Sequence, residues 1–194
     1  MITLSVKLTS FLTGKWALLL LCCLTVNLAC GPSLDEDAKR LAMAEEALDL
    51  PALIDELASE WTQEKLKLEK TVTGEDGTPE TQVIDQPNWK EELASFSQND
   101  IKKIAIFEKY DFQRNQSEEQ YLATDSSLKV RSVYLLPNEK NWQVMKIRRL
   151  AGNPLYDSDL QLELDKSKRR AFLKANRKML FIDPSEITIE WKAF

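Results

Sequence analysis

The spacing of apolar residues predicts helices in the segment after residue 33. Ser33 and Glu36 have the spacing of a capping box, and the apolar positions after them fall on one helix face, namely Leu34, Ala38, Leu41, Ala44 and Leu48. Pro51 marks the start of a second helix, whose apolar stripe holds Leu53, Leu57, Ala58 and Trp61. A short third helix is predicted over Trp89 to Phe96, with Asn88 as its cap.

The apolar period changes to two after the second helix, and this period predicts strands. A hairpin is expected with its turn at Gly74 to Gly77 and its return strand over Thr81 to Ile84, while Pro79 stays in the connection because it cannot donate to a ladder. Seven further strands are predicted, over Phe107 to Arg114, Gln120 to Thr124, Leu128 to Leu136, Trp142 to Leu150, Tyr156 to Leu164, Arg170 to Phe181 and Ile187 to Ala193. Gly152-Asn153-Pro154 is a turn signal. The short connections imply an antiparallel meander, since parallel strands need long crossovers.

In the last four predicted strands, one face carries charge and the other is mostly apolar. The sign alternates from strand to strand: Lys146 and Arg148, then Asp157, Asp159, Glu163 and Asp165, then Arg170, Lys174 and Lys178, then Glu186 and Glu190. If these strands pair in chain order, opposite charges face each other and contribute about 0.2 to 1 kcal/mol per pair. We therefore predict an α+β fold in which N-terminal helices pack on a meandering antiparallel β-sheet.

The first thirty residues have a different pattern, typical of a targeting segment. Lys7 and Lys15 precede the apolar run Trp16 to Leu28, which is followed by Ala29 and Cys30. The run is short for a spanning helix, which needs about 20 apolar residues, and its charged start suits an export signal. We predict that residues 1–29 are this signal, residues 30–34 a lipidated tether and residues 35–194 a single domain. Plain secretion and an uncleaved helical anchor are the alternatives.

The segment Val26-Asn27-Leu28-Ala29-Cys30 resembles the lipobox of bacterial lipoproteins, although Asn27 stands where an aliphatic residue is usual. The resemblance implies that Cys30 is acylated and becomes the mature N-terminus. Gly31, in the position where Asp favours the inner membrane, implies anchoring in the outer membrane of a Gram-negative envelope. The acidic run Asp35-Glu36-Asp37 is similar to tags that direct some such lipoproteins to the outer surface. Each buried methylene of the acyl chains would contribute about 0.8 kcal/mol to the anchor.

Composition narrows the chemistry of the mature chain. Without residues 1–29 the chain keeps 24 basic and 31 acidic residues, a net charge of −7, which does not suit a general nucleic-acid binder. Histidine is absent, which excludes Ser-His-Asp and Cys-His mechanisms and the usual catalytic zinc sites. The few glycines form no phosphate-binding cluster, so we expect no cofactor. Cys30 would be the only cysteine left, so no internal disulfide is expected.

Two short patterns have the residue types of a chemical site. Asp157, Asp159, Glu163 and Asp165 could suit calcium or a catalytic carboxylate pair, but neighbouring strands supply basic partners and no glycine-containing loop surrounds them. We interpret them as cross-strand charge partners and expect no metal. Ser126-Ser127-Leu128-Lys129 matches the S-x-x-K of penicillin-binding serine enzymes, but no K-T-G or S-D-N accompanies it, so no catalytic residue is assigned.

A basic cluster is the candidate binding site. Its members are Arg148, Arg149, Lys166, Lys168, Arg169 and Arg170. Residues 126–194 carry a net charge of +6, whereas residues 30–125 carry −13. Such asymmetry could mark a patch for an anionic glycan, a lipid headgroup or an acidic protein. The alternative is that the chain's own acidic half neutralises these bases. The tryptophans of the mature chain fall in register with apolar faces, which favours packing over a sugar-binding platform.

These observations predict a membrane-anchored envelope lipoprotein that acts as a non-enzymatic binding or assembly module. Its partners would be the membrane, through the lipid on Cys30, and an envelope protein, anionic glycan or lipid. The first alternative is a periplasmic-type carrier that binds an apolar ligand in a curved sheet, which requires an open apolar concavity not filled by helices. The second is a hydrolase that uses only carboxyl groups, which requires two of them to converge in a cleft.

Overall fold

The computed structural model of the protein describes residues 48–102, 108–137 and 142–194. The predicted signal, Cys30 and the helix predicted from Ser33 lie outside these residues, except for Leu48 at the end of that helix. The described elements are α1 (Leu50–Gln63), β1 (Leu68–Thr73), β2 (Pro79–Ile84), α2 (Trp89–Glu92), α3 (Ala94–Ser97), β3 (Tyr110–Arg114), β4 (Glu119–Ala123), β5 (Val130–Pro137), β6 (Trp142–Asn153), β7 (Tyr156–Asp165), β8 (Arg170–Met179) and β9 (Ile182–Ala193).

Helix α1 confirms the second predicted helix and begins at a side-chain cap. The Asp49 Oδ1 atom accepts a hydrogen bond from the Ala52 N–H at 3.0 Å, and Pro51 lies in the first turn. The cap satisfies an N–H that has no partner inside the helix, and the proline removes another. The buried stripe consists of Leu50, Ile54, Leu57, Ala58 and Trp61.

The prediction of one continuous helix over Trp89 to Phe96 is wrong, because the structure divides this segment into α2 and α3. Leu93, between them, has φ −94° and ψ 5°, outside helical values. The Asn88 side chain makes no cap bond; its carbonyl accepts instead from the N–H groups of Glu91 and Glu92. Trp89, Leu93 and Phe96 are all buried, so the break is compatible with burial of all three apolar side chains.

The strands form one nine-stranded antiparallel sheet in the order β2-β1-β9-β8-β7-β6-β5-β4-β3. Strands β3 to β9 pair in chain order, as the meander predicts. The β1–β2 hairpin does not join β3, its nearest strand in sequence, but pairs with β9, where Glu69 lies opposite Lys192. The predicted α+β class is thus confirmed as a large antiparallel sheet with a few short helices.

Several predicted strand boundaries are wrong, including those next to Pro79 and Gly152 and both boundaries at the β8–β9 turn. Pro79 is not in the connection but opens β2 opposite Thr73, at the start of an edge strand, where a missing N–H is tolerated. Gly152 and Asn153 extend β6, and the turn follows at residues 154–155. Gly152 fits there because it lacks a Cβ, which would lie only 2.6 Å from the Asp157 Oδ1 atom.

The buried core contains side chains from one face of the sheet and from the three described helices. Trp61 packs edge-on against Trp89 with ring centroids 4.7 Å apart, and Phe96 lies 6.4 Å from Trp191 of β9. The C-terminal half of α1 also forms ion pairs with the turn between β7 and β8, in which Glu60 binds Lys166 at 2.6 Å and Glu64 binds Arg169 at 2.7 Å. These ion pairs lie at the β7–β8 turn and not at the opposite end of strands β6 to β9.

Candidate functional site

The end of the sheet opposite the β7–β8 turn carries exposed apolar side chains. The β6–β7 and β8–β9 turns lie side by side there, and the Leu180 N–H donates to the Leu155 carbonyl at 2.9 Å. The exposed fractions are 65% for Leu155, 43% for Met179, 51% for Leu180, 96% for Phe181 and 62% for Ile182. We call these five residues the apolar hairpin end.

Within the apolar hairpin end, Phe181 has both a left-handed backbone conformation and an exposed ring. Its φ is +68°, in the left-handed region that costs a non-glycine residue roughly 1–2 kcal/mol. Its ring is nearly fully exposed to solvent, so burial does not offset this strain. The tight β8–β9 turn accounts for this positive φ, as the β7–β8 turn does for Arg169, so only the exposure of the Phe181 ring has no structural reason.

A cavity of about 860 Å³ adjoins the apolar hairpin end. Residues from the β4–β5 loop and from strands β6 to β9 line it, and its apolar lining includes Leu128, Leu150, Ala151 and Pro184. The remaining lining is polar or charged, with serine hydroxyl groups and bases among it. The cavity therefore combines apolar contact area with groups that can bind an anion.

Basic side chains predominate among the unpaired charges around this cavity. Within the described part of the chain, Lys129, Arg177 and Lys178 form no ion pair. Two acids of the lining are already paired, because Asp159 binds Arg148 at 2.9 Å and Glu186 binds Lys174 at 2.8 Å. The hydrogen bonds that the Arg148 guanidinium donates to the Asp159 carboxylate also hold the pKa of Arg148 above its ordinary value.

The Ser126-x-x-Lys129 segment lies at this cavity and is held in a turn by Asp125. The Asp125 Oδ1 atom accepts from the Ser127 N–H at 2.8 Å, and its Oδ2 atom accepts from Lys109 Nζ, also at 2.8 Å. The Lys109 bond, followed by those from Ser127, holds the pKa of Asp125 well below its usual range. The segment contributes cavity lining, which its sequence pattern did not indicate.

The predicted basic cluster divides between two places. Lys166, Lys168 and Arg169 lie in the β7–β8 turn, where each pairs with an acid of this chain: Glu60, Asp165 and Glu64 respectively. Arg170 follows this turn and lies opposite Asp165 in register. Arg148 and Arg149 lie farther along β6, Arg149 half-buried. An anionic partner at this cluster stays a prediction, and such a partner would have to compete with the internal ion pairs.

Three members of the predicted acidic group have separate partners, whereas Asp157 forms no ion pair among the described residues. Glu163 binds Lys146 directly opposite at 3.0 Å, and Asp165 accepts from Ser167 Oγ at 2.7 Å and from the Lys168 N–H at 3.0 Å. Burial raises the pKa of Asp165, but these hydrogen bonds and the Lys168 ammonium outweigh it, so the pKa lies below its ordinary value. In the described residues no group of three or more Cys, Asp or Glu side chains could hold a metal ion.

The four tryptophans that the structure describes belong to the core. Trp61, Trp89, Trp142 and Trp191 are all buried, in agreement with the interpretation of packing. The apolar hairpin end, in contrast, was missed. Its signal in the sequence is the run Met179-Leu180-Phe181-Ile182, which was interpreted as the end of a strand although a turn between strands is usually polar.

Comparisons with known proteins give no relative from which a function could be transferred. No protein-family model, no curated protein and no solved structure matches the chain. A search of the described residues for a long apolar helix that could cross a membrane found none.

Proposed function

We propose that the protein is a membrane-anchored lipoprotein of a Gram-negative envelope and acts as a non-enzymatic binding module. In this proposal Cys30 carries the lipid, the N-terminal helices cover one part of the sheet, and the apolar hairpin end binds another envelope component. The observation that carries the proposal is the cluster of five large apolar side chains exposed at one end of the sheet.

Single exposed apolar residues are normal on protein surfaces, but a contiguous exposed group usually marks an interaction site. Full burial of a Leu, Met or Phe side chain is worth about 1.5 to 3 kcal/mol. Even partial burial of the apolar hairpin end would therefore give a useful binding free energy, whereas its exposure gives none.

The anchor leaves this end of the sheet free to reach a partner. Seventeen residues lie between Cys30 and Leu48, the first described residue. An extended chain of this length spans at most about 60 Å, whereas a strand as long as β9 spans about 40 Å. With the helix predicted over residues 34–48 in place, the same segment spans about 35 Å. This is still close to the length of β9, so either end of the sheet can approach the membrane.

The first experiment tests the anchor. Full-length protein and Cys30→Ala are produced in a Gram-negative host, and intact mass and membrane fractionation are measured. We expect an acylated chain that begins at Cys30 and is bound to the outer membrane, while the variant loses acylation and membrane association. An unacylated wild type, or one that retains residues 1–29, would contradict the proposal.

The second experiment tests the binding surface. Leu155→Cys is compared with Lys168→Cys, which lies in the β7–β8 turn at the other end, in a background where Cys22 and Cys23 are replaced by Ser. We expect a water-soluble maleimide to label position 155 more slowly in isolated envelopes than in detergent, while position 168 reacts equally in both. Equal protection of the two positions would argue against docking through the apolar hairpin end.

A carrier of an apolar ligand is the second candidate, and the cavity of about 860 Å³ favours it. Leu128 and Leu150 would contact an acyl chain, while Lys129 would lie near its carboxylate. The test is binding of a fluorescent fatty acid by wild type and by Ala151→Phe, which fills the cavity. Saturable binding that the variant loses would support a carrier, and equal binding by both would refute it.

A further inference from the structure

We infer that the component bound by the apolar hairpin end is an anionic phospholipid layer, which the turns enter to give the protein a second membrane contact beside its lipid anchor. The inference rests on the proposed function, because the anchor brings this end of the sheet near a membrane. It specifies the chemical class of the partner, which the proposed function does not name.

The shape of the apolar hairpin end favours a fluid partner over a folded one. Met179 to Ile182 are four consecutive apolar residues that pass through a turn, and each is exposed by more than two fifths. Consecutive residues of a turn point in several directions, so a single flat protein surface cannot cover all of them. Lipid acyl chains can surround such a protrusion, and apolar faces of peripheral proteins typically enter about 5–10 Å into the interface.

The charges beside the apolar hairpin end favour anionic headgroups. Lys178 directly precedes Met179, and Lys129 and Arg177 line the adjoining cavity. None of these bases forms an ion pair with another described residue. Basic residues near a membrane surface are attracted to anionic lipids over about one Debye length.

The acids near the apolar hairpin end limit this attraction without cancelling it. Asp159 and Glu186 are held in ion pairs with Arg148 and Lys174. Asp157 and Asp183 form no ion pair among the described residues, although Asp157 lies directly opposite Lys178 in register. With Arg131 of the cavity lining counted, two acids without an ion pair stand against four such bases. We therefore expect anionic lipid to strengthen insertion moderately and salt to weaken it moderately, with the apolar side chains supplying the larger part.

The experiment measures insertion directly. The acylated protein carries an environment-sensitive fluorophore on Leu155→Cys, with Lys168→Cys as the matched control, again with Cys22→Ser and Cys23→Ser. It is reconstituted into phosphatidylcholine vesicles with and without phosphatidylglycerol, and lipids brominated on the acyl chains serve as quenchers. We expect quenching and a blue shift at position 155, stronger with phosphatidylglycerol, and neither at position 168.

Two substitutions distinguish insertion of the apolar hairpin end from nonspecific hydrophobic association of the protein with vesicles. Phe181→Asn removes the exposed ring and keeps a residue that tolerates a positive φ, so the fold should be unchanged, as circular dichroism would check. Phe194→Asn removes another half-exposed ring at the C-terminus. We expect the ratio of quenched to unquenched fluorophore to fall about tenfold for Phe181→Asn, and not to change for Phe194→Asn.

Other partners of the apolar hairpin end would give different results in these experiments. Position 155 unquenched in vesicles but protected in isolated envelopes would indicate a protein partner; it would overturn the lipid inference and leave the proposed function standing. Protection that depends on the protein-to-lipid ratio, without quenching by brominated chains, would indicate a second copy of this chain and also overturn it. Position 155 unquenched in vesicles, and labelled as fast in envelopes as in detergent, would overturn the inference and the proposed function together.

Discussion

Glu92 joins helix α2 to the sheet through one carboxylate oxygen, and its removal should be costly. Its Oε2 atom accepts from Lys70 Nζ at 2.8 Å and from the indole N–H of Trp191 at 2.8 Å. Trp191 is 4% exposed, so Glu92→Ala leaves its indole N–H buried without an acceptor, which costs about 1–3 kcal/mol. Loss of the partly buried pair with Lys70 adds about 0.2–1 kcal/mol. We expect a total loss of about 2–3 kcal/mol in the free energy of unfolding.

Urea unfolding followed by tryptophan fluorescence measures this loss. With a typical slope of about 2 kcal/mol per molar urea, the midpoint of Glu92→Ala should fall by about 1 M. Glu91→Ala is the matched control, because Glu91 is exposed on the same helix and should change stability by less than about 0.5 kcal/mol. In a Trp191→Phe background, Glu92→Ala should cost about 1 kcal/mol less than in the wild type. Equal midpoints for Glu92→Ala and Glu91→Ala, or strict additivity with Trp191→Phe, would refute the reasoning.

Two further predictions concern the hairpin ends. Asp165 has a lowered pKa, so its stabilising contribution is present above the ordinary pKa of 3.8 and is lost as the pH falls toward the folded-state pKa. The urea midpoint of the wild type should therefore fall between about pH 6 and about pH 3, and the fall should be smaller for Asp165→Asn. An unchanged pH dependence in the variant would contradict this. Gly152→Ala should lower the free energy of unfolding by about 1 kcal/mol, because the new Cβ would meet the Asp157 side chain at 2.6 Å and the Tyr156 carbonyl at 3.3 Å. In an Asp157→Ala background part of this loss should disappear, and an equal loss in both backgrounds would show that the contact with Asp157 is not its cause.

The sequence predicts the faces and the pairing order of strands β6 to β9 well because these signals are local, whereas the ends of β6, β8 and β9 differ from the prediction. Alternation of apolar and charged residues sets the two faces, and alternation of sign between strands gives the pairing. Lys146 and Glu163 meet as predicted, directly opposite each other. Arg148 instead reaches Asp159, which lies diagonally, because its direct neighbour is Gln161. The pattern therefore predicts which strands pair, whereas individual partners depend on side-chain reach.

The placement of the β1–β2 hairpin could not be predicted in this way. Its alternation is compatible with pairing at either edge of the meander. The choice of β9 depends on contacts between segments far apart in the chain, such as those that join Lys70 and Trp191 to Glu92. Such contacts leave no periodic signal in any one segment.

The candidate site was missed for a related reason. An apolar run in a strand and an apolar run in an exposed turn have the same composition, and only the position of the turn distinguishes them. The predicted strand extended to Phe181 and the next began at Ile187, whereas the structure places the turn at residues 180–181. The cavity beside it is formed by five segments of the chain, which no local spacing brings together.

The pairing of β1 with β9 has a consequence for biogenesis. Glu69 and Lys192 are neighbours in the sheet although more than a hundred residues separate them in the chain. A chain that leaves a ribosome or an export channel N-terminus first therefore keeps β1 without its second neighbour until β9 has emerged. Long-range strand pairs form slowly, and open edges aggregate meanwhile. Loss of β9 alone would deprive β1 and β8 of their shared partner, so the sheet is completed only when β9 is in place.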